Sequence, residues 1–157
     1  IKMTDLYKFV PPGGGPSYDW ANDNIFVKVD ADDTGANYTI VEDNLKSTFA
    51  LGLHMHREHA ETFYILDGSV DFYVDGKWIS ATTGACLHVP AGTPHAAKIT
   101  QGYESARMLM VFQPSGFDQL LLALSKMTEA DFADEARMSA LNKKFDIISL
   151  GPVPDAT

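Results

Sequence analysis

All five histidines of this chain fall between Leu53 and His95. The first block reads His54-Met55-His56-Arg57-Glu58-His59-Ala60-Glu61, with Gly68 beyond it, and the second runs from Gly84 through Pro90 and Gly92 to His95. His54 and His56 stand two apart in a β-like run, so both imidazoles project to one face of a strand. Glu61 opens the following run after a short turn, which brings its carboxylate back alongside them. His95 follows the rigid turn made by Pro90 and Gly92. Three neutral imidazoles and one carboxylate make a borderline-hard ligand set. It suits divalent Fe, Mn, Ni, Co, Cu or Zn, and geometry must choose among them. The expectation is one divalent transition metal held by His54, His56, Glu61 and His95. An octahedral ion would keep two positions free for water or substrate, whereas a tetrahedral zinc would be saturated. Glu61 is also the candidate catalytic base.

The remaining reactive residues are weaker candidates. His59 lies in the turn between ligands and out of step with His54 and His56, so it is expected to be exposed. His88 alternates with Leu87 and Val89 and could face either the cavity or the outer sheet surface. Cys86 is expected to be a small buried hydrophobe in a strand. By strand parity Ala50 and Gly52 share the face of His54, and Phe63 and Ile65 share that of Glu61. Ala97 and Ile99 follow His95. The small residues Ala50, Gly52 and Ala97 would leave room for a substrate beside the ligands. On the last strand either Met108, Met110 and Phe112 or Leu109 and Val111 face inward.

The elements that must position these groups are short strands. Ile25–Val29, Tyr38–Val41, Phe49–His56, Thr62–Leu66, Val70–Val74, Lys77–Ala81, Cys86–Val89, His95–Ile99 and Ala106–Phe112 read as β-runs separated by turns. Asp75-Gly76 is a two-residue hairpin signal, and residues 30–37 read as a polar turn. Many short strands with no helix between them argue for an antiparallel sandwich or barrel. After the strands, Phe117, Leu120, Leu121 and Leu124 recur at helical spacing. Thr128-Glu129-Ala130-Asp131 has the form of a helix cap, ahead of a helix bearing Met138, Leu141 and Phe145 on one face. Pro11-Pro12-Gly13-Gly14-Gly15-Pro16 cannot lie inside a helix or a central strand. It is not followed by the Lys-Ser/Thr of a phosphate loop. The stretch beyond Gly151-Pro152 is expected to be loose.

A chain of 157 residues suits one domain with a real core. The net charge of −9, with no cationic cluster to offset it, disfavours nucleic acid and anionic membranes as partners. No apolar run approaches a membrane span and no signal-peptide pattern opens the sequence. A single cysteine excludes an internal disulfide framework and fits a reducing, cytoplasmic setting.

The two histidine blocks resemble the motifs of the cupin superfamily. His54, His56, Glu61 and Gly68 match its first motif, and Gly84, Pro90, Gly92 and His95 match its second. The glycine that leads the first motif is Thr48 here, and the asparagine that often closes the second is Ile99. Both are turn positions, so loop shape departs from the pattern while the ligand set does not. Phe9-Val10-Pro11-Pro12, Pro114-Ser115-Gly116-Phe117 and Leu150-Gly151-Pro152 are similar to small quercetin-dioxygenase-like cupins. The resemblance implies an all-β jelly-roll antiparallel barrel over residues 25–113. An irregular segment would precede it over 1–24, and a helical extension packed outside would follow over 114–150. It also implies a metal-dependent oxidoreductase, foremost a dioxygenase acting on a small aromatic or enolisable substrate. Lyases, isomerases and non-catalytic small-molecule binders share the pattern. Small cupins commonly pair, so a homodimer is expected.

Overall fold

The computed structural model describes residues 6–156. In chain order its elements begin β1 (Ser17–Asp19), β2 (Asp23–Val29), α1 (Ala31–Thr34), β3 (Thr39–Lys46), β4 (Ala50–Met55), β5 (Ala60–Asp67), β6 (Ser69–Val74) and β7 (Lys77–Thr82). They continue with β8 (Cys86–Val89), β9 (His95–Ile99), β10 (Ser105–Gln113), α2 (Phe117–Ser125), α3 (Glu129–Ala133), α4 (Glu135–Lys144) and β11 (Ile148–Gly151). One sheet has the order β1-β2-β3-β10-β5-β8 and the other β11-β4-β9-β6-β7. Every pairing between described strands is antiparallel. The fold is a jelly roll with three helices, α2–α4, inserted between β10 and the last strand β11. Its two sheets keep separate hydrogen-bond ladders, so the expected barrel is closed by side-chain packing and not by a continuous ladder.

Alternation along each strand explains the core. Thr39, Val41, Asp43 and Leu45 on β3 are buried, and the residues between them are half-exposed. On β10 the buried set is Ala106, Met108, Met110 and Phe112, which settles the inward parity of that strand. Ile25, Val27, Phe63, Ile65, Val70, Phe72 and Ile99 complete the interior. The rings of Phe63 and Phe72 lie 4.9 Å apart and join the two sheets. Full burial of such a side chain is worth about 2–3 kcal/mol. The hairpin between β6 and β7 forms at Asp75-Gly76, both with positive φ (52° and 75°), as a two-residue primed turn requires.

Several elements go beyond the sequence reading. β1 lies inside the segment expected to be irregular and pairs with β2 as a hairpin. The polar turn over 30–37 contains α1, closed by an Asp30–Asp33 capping box. The Thr128–Asp131 cap forms as expected, but the helix behind it is broken. Asp134 ends α3 and accepts the Arg137 N–H at 3.0 Å to start α4. The chain then re-enters a sheet as β11, paired with β4. Beyond Gly151 the Trp78 indole N–H donates to the Asp155 carbonyl at 3.4 Å, so that stretch touches the fold. No helix among the described residues is long and apolar enough to cross a membrane.

Candidate metal centre

The four expected ligands converge. His54 lies on β4 directly opposite His95 on β9. His56 follows the end of β4, and Glu61 on β5 is paired with Phe112 and Val89. One ligand atom from each of the four falls within 4.8 Å of the others. Glu61 is 5% exposed and His95 2%. His54 and His95 come from one sheet, His56 from the loop just beyond β4 and Glu61 from the other sheet, so the cluster spans the sandwich.

Hydrogen bonds fix the chemistry of the rings. His54 Nδ1 donates to the Gly52 carbonyl at 2.8 Å, His56 Nδ1 to that of Asp146 at 2.8 Å, and His95 Nδ1 to that of Thr93 at 2.9 Å. A carbonyl can only accept, so each Nδ1 carries a proton and each neutral ring presents an Nε2 lone pair. The His95 and His56 Nε2 atoms lie 2.8 and 2.9 Å from the two oxygens of Glu61. His56 Nε2 is buried without a hydrogen-bond partner. At these separations a carboxylate and an imidazole Nε2 need a positive charge between them, either a second proton on the ring or a cation. With metal–ligand bonds of about 2.1 Å, adjacent donors in an octahedron stand about 3 Å apart, so the donor set fits a metal.

Burial, reinforced by neighbouring His95, holds the His54 ring down to about 4, so it is neutral near pH 7. Burial alone would raise Glu61, but hydrogen bonding and charge from His56 and His95, when those rings carry a second proton, outweigh it and hold the carboxyl at about 2. Burial alone would lower His56, but the same contact raises it. A bound cation would take the place of those protons.

Sequence reasoning missed Asp146. It lies between α4 and β11 with φ 57°, and its backbone carbonyl orients His56. Its carboxylate accepts the backbone N–H groups of Arg57 (2.9 Å), Glu58 (2.8 Å) and His59 (3.2 Å), and the His59 Nδ1–H at 2.8 Å. The expectation for His59 is corrected accordingly. That ring is half-buried under the returning tail and lines the cavity. Cys86 is also corrected. It is exposed on the edge strand β8, because parity there turns Val89 inward. His88 faces outward and bonds Thr62 Oγ1 at 2.8 Å.

The cluster opens on a cavity of about 670 Å³ whose walls include Phe63, Met108, Met110, Phe112, Phe117 and Leu121. This is the form of a small-molecule site, apolar with a few convergent polar groups. Ala97 lines it as expected. Ala50 is exposed and lies outside it. Gly52 does not supply substrate room, since a Cβ there would meet the Gly151 carbonyl oxygen at 2.7 Å.

Comparison with known proteins agrees with the geometry. The family model described as "Cupin domain" matches residues 45–112, which include His54, His56, Glu61 and His95. The chain carries a cupin domain. Within it, 71 residues are 37% identical to the quercetin 2,3-dioxygenase of Bacillus subtilis (strain 168), covering 45% of this chain and 20% of that protein. This cupin therefore spans about a fifth of the length of the curated relative it matches. Among solved structures, the predicted oxalate decarboxylase from Thermotoga maritima superposes with a TM-score of 0.63 at 19% identity, over 68% of this chain and 99% of that one. The polyketide cyclase RemF from Streptomyces resistomycificus gives 0.61 at 19% identity, over 70% and 81%. At these identities the likeness shows the shared fold.

Proposed function

We propose that this cupin is a metal-dependent oxidoreductase, a dioxygenase acting on a small aromatic or enolisable molecule, with a divalent transition metal held by His54, His56, Glu61 and His95. One observation carries the reading. Three imidazoles with their Nδ1–H groups tied to backbone carbonyls aim their lone pairs, together with a carboxylate, at one point beside an apolar cavity. The partial relative named a dioxygenase supports the choice of reaction. The metal, when bound, would supply Lewis acidity toward a substrate hydroxyl and electron exchange with oxygen. Phe63 and the stacked pair Phe112–Phe117, with centroids 4.0 Å apart, give a flat substrate an aromatic wall that excludes water. Glu61, held as a carboxylate, is the group placed to accept the substrate proton.

The test has two parts. Purified protein should hold about one divalent metal per chain, as one four-donor site allows, and His54→Ala or His95→Ala should each lose most of it by elemental analysis. Metal content unchanged in both variants would refute the site. With flavonols, catechols and β-dicarbonyls, the loaded protein should consume oxygen as product forms, and Glu61→Gln should lower turnover about 10²-fold. Product without oxygen uptake would reassign the protein as a lyase or isomerase. Binding without product would make it a small-molecule-binding cupin.

A further inference from the structure

The metal cluster is not the cavity's only polar feature. Asp43 sits on β3 between Val41 and Leu45, is 2% exposed, and points inward by the alternation of that strand. Its cross-strand partners are the apolar Ile25 and Met108. Asp23 on β2 is opposite Leu45, hence diagonal to Asp43 and on the same inward parity as Ile25, which makes the two carboxyl groups neighbours on one face. Asp43 Oδ1 is buried with no hydrogen-bond partner. Both residues line the same cavity as His54, Glu61 and His95. Glu61 is level with Phe112 on β10 and Asp43 with Met108, a separation of about 13 Å along the strand.

Two neighbouring carboxyls in an apolar wall do not both stay charged, so the pair retains one proton near neutral pH. Burial first, then the charge of Asp23, pushes Asp43 up to about 9. Burial also raises Asp23, and the neighbouring Asp43 carboxyl, then Lys46, only partly offset it. Lys46 itself is engaged by Asp19 and the Trp20 carbonyl. Nothing in the packing calls for acids here. Ile25, Val41, Leu45 and Met108 would accept an apolar residue, and replacing buried polar groups by well-packed apolar ones is commonly neutral or stabilising.

We propose that Asp23 and Asp43 form a second binding point in the cavity, an acid pair whose unpartnered Asp43 Oδ1 accepts a hydrogen bond from a hydroxyl group of a flat polyhydroxylated aromatic ligand. The near end of that ligand meets the histidine–glutamate cluster, and in this respect alone the assignment rests on the proposed function. Trp20 and Phe49, which line the cavity with the pair, flank such a ring.

Calorimetric titration with quercetin and with flavonol, the same ring system without the further hydroxyls, tests this in both metal-loaded and metal-free protein. Wild type should bind quercetin about tenfold or more tightly than flavonol in both forms, the equivalent of one good hydrogen-bonded contact. Asp43→Leu should shrink that preference to about twofold or less, leave flavonol affinity nearly unchanged, and raise Tm by a few degrees. If that variant fails to fold, Asp23→Asn at the half-buried partner should reduce the preference in the same direction. A preference that survives in the folded variant, no preference in wild type, or no binding of either flavonol overturns the proposal. So does selective binding of tyramine that disappears in Asp43→Leu, which would make the pair an ammonium site. Metal loading that changes neither affinity while the Asp43 effect persists would count against the metal reading alone. The converse result would count against the acid pair alone.

Discussion

Asp146 satisfies three consecutive backbone N–H groups and one histidine ring in the loop that joins His56 to Glu61. Asp146→Ala strands those donors, at a cost of about 1–3 kcal/mol. Outer partners of metal ligands typically change affinity about 10–100-fold, and a competitive chelator titration should find a loss in that range, with Asp146→Asn recovering part of it. The acid pair gives a second test at this scale. Asp43 binds its proton more tightly folded (about 9) than unfolded (3.8), so between those values the native state holds the extra proton. Stability therefore falls as pH rises through that window. Urea unfolding of metal-free wild type should give a lower free energy at about pH 8 than at about pH 5, and Asp43→Leu should flatten the difference. The convergence of His54, His56, Glu61 and His95 was legible in the sequence because strand parity and the turn residues before His95 signal it. Asp146 and the Asp23–Asp43 juxtaposition were not, because long-range packing and diagonal strand register create them.

β11 shows how one short element controls the site's geometry. It pairs with β4 at Met55, His54 and Leu53, and its Gly151 carbonyl fills the space a side chain at Gly52 would need. Gly52→Ala puts a Cβ at 2.7 Å from that oxygen, so β11 must shift. We expect a loss of about 1–3 kcal/mol. Hydrogen exchange should rise sharply over Ile148–Gly151 while the β3–β10 ladder stays protected. Equal protection of β11 in wild type and variant would contradict this account. β8 and β9 carried their own boundaries in the sequence, between turn glycines and prolines. β1 and β11 are too short for any periodicity to reveal, and they exist because neighbouring strands offer free edges. The break between α3 and α4 hinges on Asp134 acting as a cap, which no apolar spacing announces.

At the scale of the whole molecule, the sheets end in the edge strands β1, β8, β11 and β7. Leu51, Tyr64 and Ile79 are large exposed side chains on sheet residues. Unpaired edges and exposed apolar groups favour association, and the chain is expected to be a homodimer. Light scattering at micromolar concentration should give twice the chain mass of 17.2 kDa, and a monomer mass would refute it. Those measurements need a reductant, since the exposed thiol of Cys86 on edge strand β8 could otherwise cross-link two chains. The path of the chain also orders events in time. His56 takes its orientation from a carbonyl 90 residues further on. During vectorial synthesis, therefore, His54, His56, Glu61 and His95 have all left the ribosome before the residue that aligns His56 has been added. On this path the His56 ring gains its Asp146 partner only once the tail has docked, so a metal held by this cluster would meet its finished geometry only then.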